Sequence, residues 1–301
     1  MPRHWQRIVL CAAKGSMPKI PQRVGTKPST MSINLEIRDG SPHWYLSPDI
    51  WVLGDPGDTT ESMPVAGIPC YLKARVRNNG SSPANNATVN FYWGNPAVGV
   101  SRATATFIGQ SFVSLAAGAS DDVLCLVPWI PQFLNEGHEC ILAEAFHPDD
   151  PLATGTDFHV PTDRHVAQRN LSVIQTQNNM FHLNFELHNG TRKEQTFVAT
   201  IEQVSAEKAL KHFPAFLKQL KGKKEGKISA THFSNSRCPE PGKQPGQHQE
   251  KCEPATIAGF GTRQLAVTGK LEGDFAFVTI ARYNGSQQTG GLGILILNSK
   301  A

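Results

Sequence analysis

Residues 70–80 read CYLKARVRNNG. Cys70, Leu72, Ala74 and Val76 alternate with Tyr71, Lys73, Arg75 and Arg77. A strand turns successive side chains to opposite faces, so this spacing predicts one apolar face on a core and one charged face in water. Asn79-Gly80 then predicts a tight turn, because both residue types tolerate positive φ. A second apolar run, Thr88–Trp93, follows. The phrase returns at residues 181–190, FHLNFELHNG. Phe181, Leu183, Phe185 and Leu187 now form the apolar set, with Thr196–Ile201 as the following run. The apolar faces match at an offset of 111 residues and the Asn-Gly pairs at 110. A slip of one residue would turn every side chain over, so the two loops are expected to differ in length by one residue.

The echo continues. SDDVLCLVPW (120–129) matches RQLAVTGKL (263–271), and CILAEAF (140–146) matches DFAFVTIARY (274–283). Two copies of one β unit are read at roughly 45–170 and 171–301. The expected fold is all-β: two immunoglobulin-like sandwich domains at 33–170 and 171–301, after a basic arm at 1–32. The second carries a helical and loop insertion over 204–256. There Ser205 is placed to cap a helix, and Ala206, Ala209, Leu210, Phe213, Phe216, Leu217 and Leu220 share one helical face. Pro214 should kink that helix or split it.

Length and composition agree. The 301 residues fit about two domains, and 26 Gly and 21 Pro suit short strands joined by turns. The net charge of +4 is uneven. Residues 1–30 carry six bases and no acid, 31–170 seven bases and fifteen acids, and 171–301 sixteen bases and ten acids. Bases are not concentrated on one reading element, which argues against a nucleic-acid binder. No apolar run reaches the length of a membrane span. The opening MPRHWQRIVLCAAKGS has only the short run Ile8–Ala13, read as a basic arm or a weak export signal, and Met31 is an alternative start. An extracellular or cell-surface location is the expectation.

The first copy resembles the CARDB-type domain, an immunoglobulin-like module of bacterial cell-adhesion-related proteins. The phrases that carry this are ARVRNNGSSPANNATVNFYW, VSLAAGASDDVLCLVPW and VAQRNLSV, and it covers about residues 33–175. The exit departs from that pattern, reading DRHVAQRN. The resemblance implies a seven-strand sandwich used as a spacer or binding unit, with no catalytic residues to carry over.

Motifs of chemistry are scarce. There is no G-x-S-x-G, H-E-x-x-H or Walker loop. TGGLG (289–293) precedes an apolar run rather than a helix and is read as a turn. His138, Glu139 and His147 lack the spacing of a zinc helix. Asp55, Asp58 and Glu61, with Asp149 and Asp150 in a second loop, offer oxygen donors for Ca²⁺, although acidic turns are common without it; no other cofactor is expected. Trp44, Tyr45 and Trp51 are read first as core and second as a sugar-stacking face. Five N-x-[ST] sequons begin at Asn79, Asn86, Asn170, Asn189 and Asn284. Of six cysteines, Cys70, Cys125 and Cys140 sit in apolar runs and read as buried thiols. Cys238 and Cys252 flank a polar loop and are expected to pair on export.

The expected function is a non-catalytic interaction or adhesion module, with a carbohydrate-binding or enzyme-accessory protein as the alternative. Lys218, Lys221, Lys223 and Lys224 would present a basic patch to an acidic protein partner. The acidic half of a neighbouring copy is one such partner.

Overall fold

A computed structural model describes residues 32–94, 97–98, 100–102, 104–132, 140–153, 158, 160–235 and 252–299. The chain is all-β, with sixteen strands and two short helices among these residues.

In the first half, β3 (Tyr71–Asn78) is central to a small sheet with β1 (Leu35–Glu36), β2 (Ile50–Leu53) and β7 (Ser120–Leu124). Its alternation is as expected: Leu72, Ala74 and Val76 are fully buried and their neighbours half-exposed. Behind it lie β4 (Ala84–Gly94), β6 (Thr106–Leu115), β8 (Cys140–Phe146) and β9 (Val166–Gln175). The second half repeats these pairings. β10 (Met180–His188) pairs with β14 (Thr262–Glu272) as β3 pairs with β7. β11 (Gln195–Val204) lies between β13 (Cys252–Ile257) and β15 (Phe275–Asn284) as β4 lies between β6 and β8. β16 (Gln287–Leu297) follows β15 as β9 follows β8.

The two halves share a sheet. β9 pairs with β8 through Asn170 and, from Leu171 on, runs parallel to β16. The result is one eight-stranded sheet, β13-β11-β15-β16-β9-β8-β4-β6, faced by a four-stranded sheet over each half. β5 (Ala97–Val98), from the first half, joins β10 in the second facing sheet. Two separate sandwiches were expected; the parallel β9–β16 contact fuses them.

Three further expectations are corrected. The tight turns expected at the Asn-Gly pairs are instead crossings between sheets, since β4 and β11 belong to the other sheet from β3 and β10. Among the described residues neither Asn79 nor Gly80 takes a positive φ; Gly80 is needed because a Cβ there would stand 2.1 Å from the Ser32 carbonyl oxygen. TGGLG is not a turn but part of β16, where a Cβ on Gly291 would stand 2.1 Å from the Tyr45 ring. The insertion is not only helix and loop, because β12 (Lys227–Asn235) and β13 each pair at the edge of a sheet.

The helical part splits at Pro214 into α1 (Ala206–Ala209) and α2 (Pro214–Gln219). Ser205 makes no side-chain cap; Glu225 instead accepts the Ala206 N–H at 2.9 Å. The apolar side chains Ala206, Leu210, Phe213, Phe216 and Leu220 are buried on the outer face of the shared sheet, in one cluster with Phe275, Phe277, Leu295, Leu142 and Val166. The inner face of the same sheet packs on the facing sheets in two separate cores. Covering both faces explains why β8 and β15 are buried continuously rather than alternately.

Candidate functional site

Strands β9 and β16 meet at a seam, and a buried ion pair and a polar-lined cavity lie near it. Arg169 on β9 is 3% exposed and pairs with the buried carboxylate of Glu61. It also donates to the Ile50 carbonyl at 3.0 Å and lies over the rings of Phe213 and Phe216 at 4.8 and 5.6 Å. Burial raises the Glu61 pKa and lowers that of Arg169, each against the attraction of its partner. The pair ties the acidic loop, the strand junction and the helices together.

Beside it, Trp44, Phe158 and Gln168 from the first half face Gln195, Arg282 and Gln288 from the second across a cavity of about 220 Å³. Arg282 is fixed by bonds to Thr289 Oγ1 and the Thr289 carbonyl, both 2.9 Å, and to the His188 carbonyl, with its guanidinium 4.6 Å from the Phe197 ring centre. Asn284 on the rim donates to Gln195 at 2.8 Å. The described residues lining the cavity include no Asp, Glu, Lys or Cys. Among the described lining residues no carboxylate pair is in place for acid–base chemistry.

A second buried cluster holds the start of the first half. His165 stands 2.7 Å from Asp163 and 3.2 Å from Asp150, all three less than 10% exposed. Asp150 also accepts the Leu35 N–H at 2.6 Å and pairs with Arg164. Burial opposes the charge on each group, but the mutual hydrogen bonds prevail. They hold both carboxyls below the ordinary Asp range and lift His165 above the ordinary imidazole value.

The residues singled out in the sequence are scattered by the fold. Of the calcium candidates, Asp55 and Asp58 stay on an exposed loop and accept its own N–H groups from Gly57 and Asp55. Glu61 turns inward to Arg169, and Asp150 turns inward while Asp149 stays out. Among the described residues no three His, Cys, Asp or Glu side chains come together as a metal set. His147 lies within 3.1 Å of the Asn85 carbonyl, whereas His138 and Glu139 lie outside the described residues. Trp44 and Tyr45 are buried at the seam; Trp51 is half-exposed on β2, with Lys73 and Arg75 over its ring at 5.7 and 5.2 Å. Of the sequon residues, Asn170 and Asn189 are fully buried and committed to backbone carbonyls. Lys218, Lys221 and Lys224 are exposed and Lys223 is half-buried. The expected Cys238–Cys252 pairing involves Cys238, outside the described residues.

One feature was missed. Gly67 N–H donates to the Pro131 carbonyl at 2.8 Å, and Cys70 and Trp129 exchange backbone bonds at 2.9 and 2.8 Å. These contacts bring residues 65–70 alongside 126–131. Val65, Ile68, Leu126, Val127 and Ile130 are all 46–74% exposed there, making an apolar patch on the acidic half. The signal was in the sequence: LVPWI continues apolar past the end of β7 with no alternation.

No family model matches the chain, and no curated protein matches it. Among solved structures, a beta-glucosidase from Streptomyces venezuelae is 20% identical over 40% of this chain, with a TM-score of 0.22, and the chain spans 14% of that enzyme. A tip adhesin from Pseudomonas aeruginosa is 9% identical over 90% of this chain and 99% of its own length, with a TM-score of 0.22. An alpha-2-macroglobulin from Escherichia coli is 8% identical over 91% of this chain and 23% of its own, with a TM-score of 0.24. Likenesses at these scores carry no argument about function.

Proposed function

We propose that this chain is a non-catalytic interaction module, of the kind used in adhesion or assembly, and that it meets a second copy of itself head to tail. The observation that carries the reading is the apolar patch of Val65, Ile68, Leu126, Val127 and Ile130 on the acidic half. Grouped exposed apolar side chains of this kind mark interaction sites. The basic half supplies the complement, with Lys218, Lys221 and Lys224 on the outer side of α2 and the turn that follows it. The fate of the buried acids supports a non-enzymatic role. Asp49 is held by Arg38 and Arg77, Glu61 by Arg169, and Glu144 by Arg102 and Tyr92. Each is tied to a structural partner, whereas a general acid or base needs freedom to exchange its proton. Among the described residues no helix is long and apolar enough to cross a membrane.

The test is sedimentation of the full chain across a salt series. One variant carries Lys218→Ser, Lys221→Ser, Lys223→Ser and Lys224→Ser; a second carries Leu126→Ser and Ile130→Ser. Self-association that weakens with salt and is lost in both variants is expected, because exposed charges are screened over about 8 Å at physiological ionic strength. A monomer at every salt concentration would defeat the head-to-tail reading.

A further inference from the structure

We infer that the seam cavity is a binding site for a neutral, hydroxyl-rich ligand, a single sugar ring of a glycan. This rests on the reading of the chain as a non-catalytic module and gives that module a ligand. At about 220 Å³ the cavity has the volume of roughly seven waters, the scale of one pyranose. Its rim carries amides, Gln195, Asn284, Gln287 and Gln288, and each amide both donates and accepts, as a vicinal pair of hydroxyls requires. Trp44 and Phe158 supply aromatic surface for the apolar face of a ring. Carboxylate and lysine are absent from the described lining. The described lining thus offers no carboxylate to select a cation and no ammonium to select an anion, and the Arg282 guanidinium is already held by Thr289 and His188.

An independent observation points the same way. Two residues of the wall, Trp44 and Gln168, are 5% and 3% exposed, yet Trp44 Nε1 and Gln168 Nε2 have no nitrogen or oxygen partner among the described residues. Among the described residues the Cys140 sulfur, a weak acceptor, adjoins the Gln168 amide. Buried donors are almost always satisfied in folded proteins. A small shift of either side chain toward the cavity would present a donor to a ligand hydroxyl. The two halves supply opposite walls, so the site exists only because β9 and β16 are joined.

The experiment titrates the full chain with the methyl glycosides of glucose, galactose, mannose and N-acetylglucosamine and follows the tryptophan indole N–H signals by NMR. The inference expects at least one glycoside to shift the Trp44 signal saturably, the signal being assigned by its loss in Trp44→Phe. Gln288→Ala should weaken that binding roughly ten-fold, as loss of one hydrogen bond would. Gln195→Trp, at the half-exposed rim, should block it by filling the space. No saturable shift with any of the four overturns the inference, and so does binding that survives Gln195→Trp. Neither result touches the non-catalytic reading, which would fail instead if the chain hydrolysed the corresponding 4-nitrophenyl glycosides.

Discussion

Asn78 and Asn189 occupy the same place in the two halves of the chain, 111 positions apart. Each is fully buried, Asn78 as the last residue of β3 and Asn189 directly after β10. The Asn78 amide donates to the carbonyls of Ser82, Leu115 and Ala116, at 2.8, 3.5 and 3.3 Å. That of Asn189 donates to Lys193, Ile257 and Ala258, at 2.8, 3.0 and 3.1 Å. Each side-chain oxygen accepts an N–H from the residue two positions on. The offset at this crossing is therefore 111, and the Asn-Gly pairs that suggested 110 are not equivalent. The conserved geometry is an asparagine that clamps the crossing from one sheet to the other.

Asn78→Ala and Asn189→Ala should each destabilise the fold by about 2–4 kcal/mol, because several buried carbonyls lose their donor at once. Urea unfolding monitored by circular dichroism measures it. A loss below about 1 kcal/mol would mean that water serves these carbonyls instead.

Gly291→Ala places a methyl group against the Tyr45 ring and should cost about 1–3 kcal/mol. Tyr45→Ala costs stability by itself, yet the double variant should be more stable than the two losses added together. The non-additivity is the signature of direct contact. Additive losses would separate the glycine from the ring.

The His165 cluster makes stability depend on pH on two sides. His165 has a pKa raised from 6.5, so its contribution is fully present below 6.5 and is lost as pH rises through the higher folded value. Asp150 and Asp163 have pKa values lowered from 3.8, so theirs is present above 3.8 and is lost as pH falls through the lower folded values. The cluster therefore contributes most between 3.8 and 6.5. His165→Gln should reduce the urea midpoint most in that window, with the difference from wild type shrinking at alkaline pH. A difference that grows with pH would contradict the pairing.

Much of the fold was legible because strand alternation in β3 and β10 is a local signal, and buried Leu72, Val76, Leu183 and Leu187 follow from it. The fusion of the halves was not read, although its mark is present. CILAEAF and FAFVTIA run apolar without alternation, which requires cover on both faces. What provides the cover depends on where α1 and α2 dock, and that is a long-range property. Arg169 in VAQRNLSV needed a buried counter-charge, but nothing local distinguishes Glu61 from Asp55 or Asp58. The cavity is assembled from segments near 44, 100, 160, 168, 190 and 285, so no stretch of sequence carries its signature.

The joining of the halves through β9 is tested most directly by native-state hydrogen exchange along Val166–Gln175. In one shared sheet the amides on both sides of the change of partner, those paired with β8 and those paired with β16, open only in global unfolding. Their protection should then match that of β15 and fall together in denaturant. Fast exchange confined to residues 171–175, as in a linker between independent domains, would contradict it.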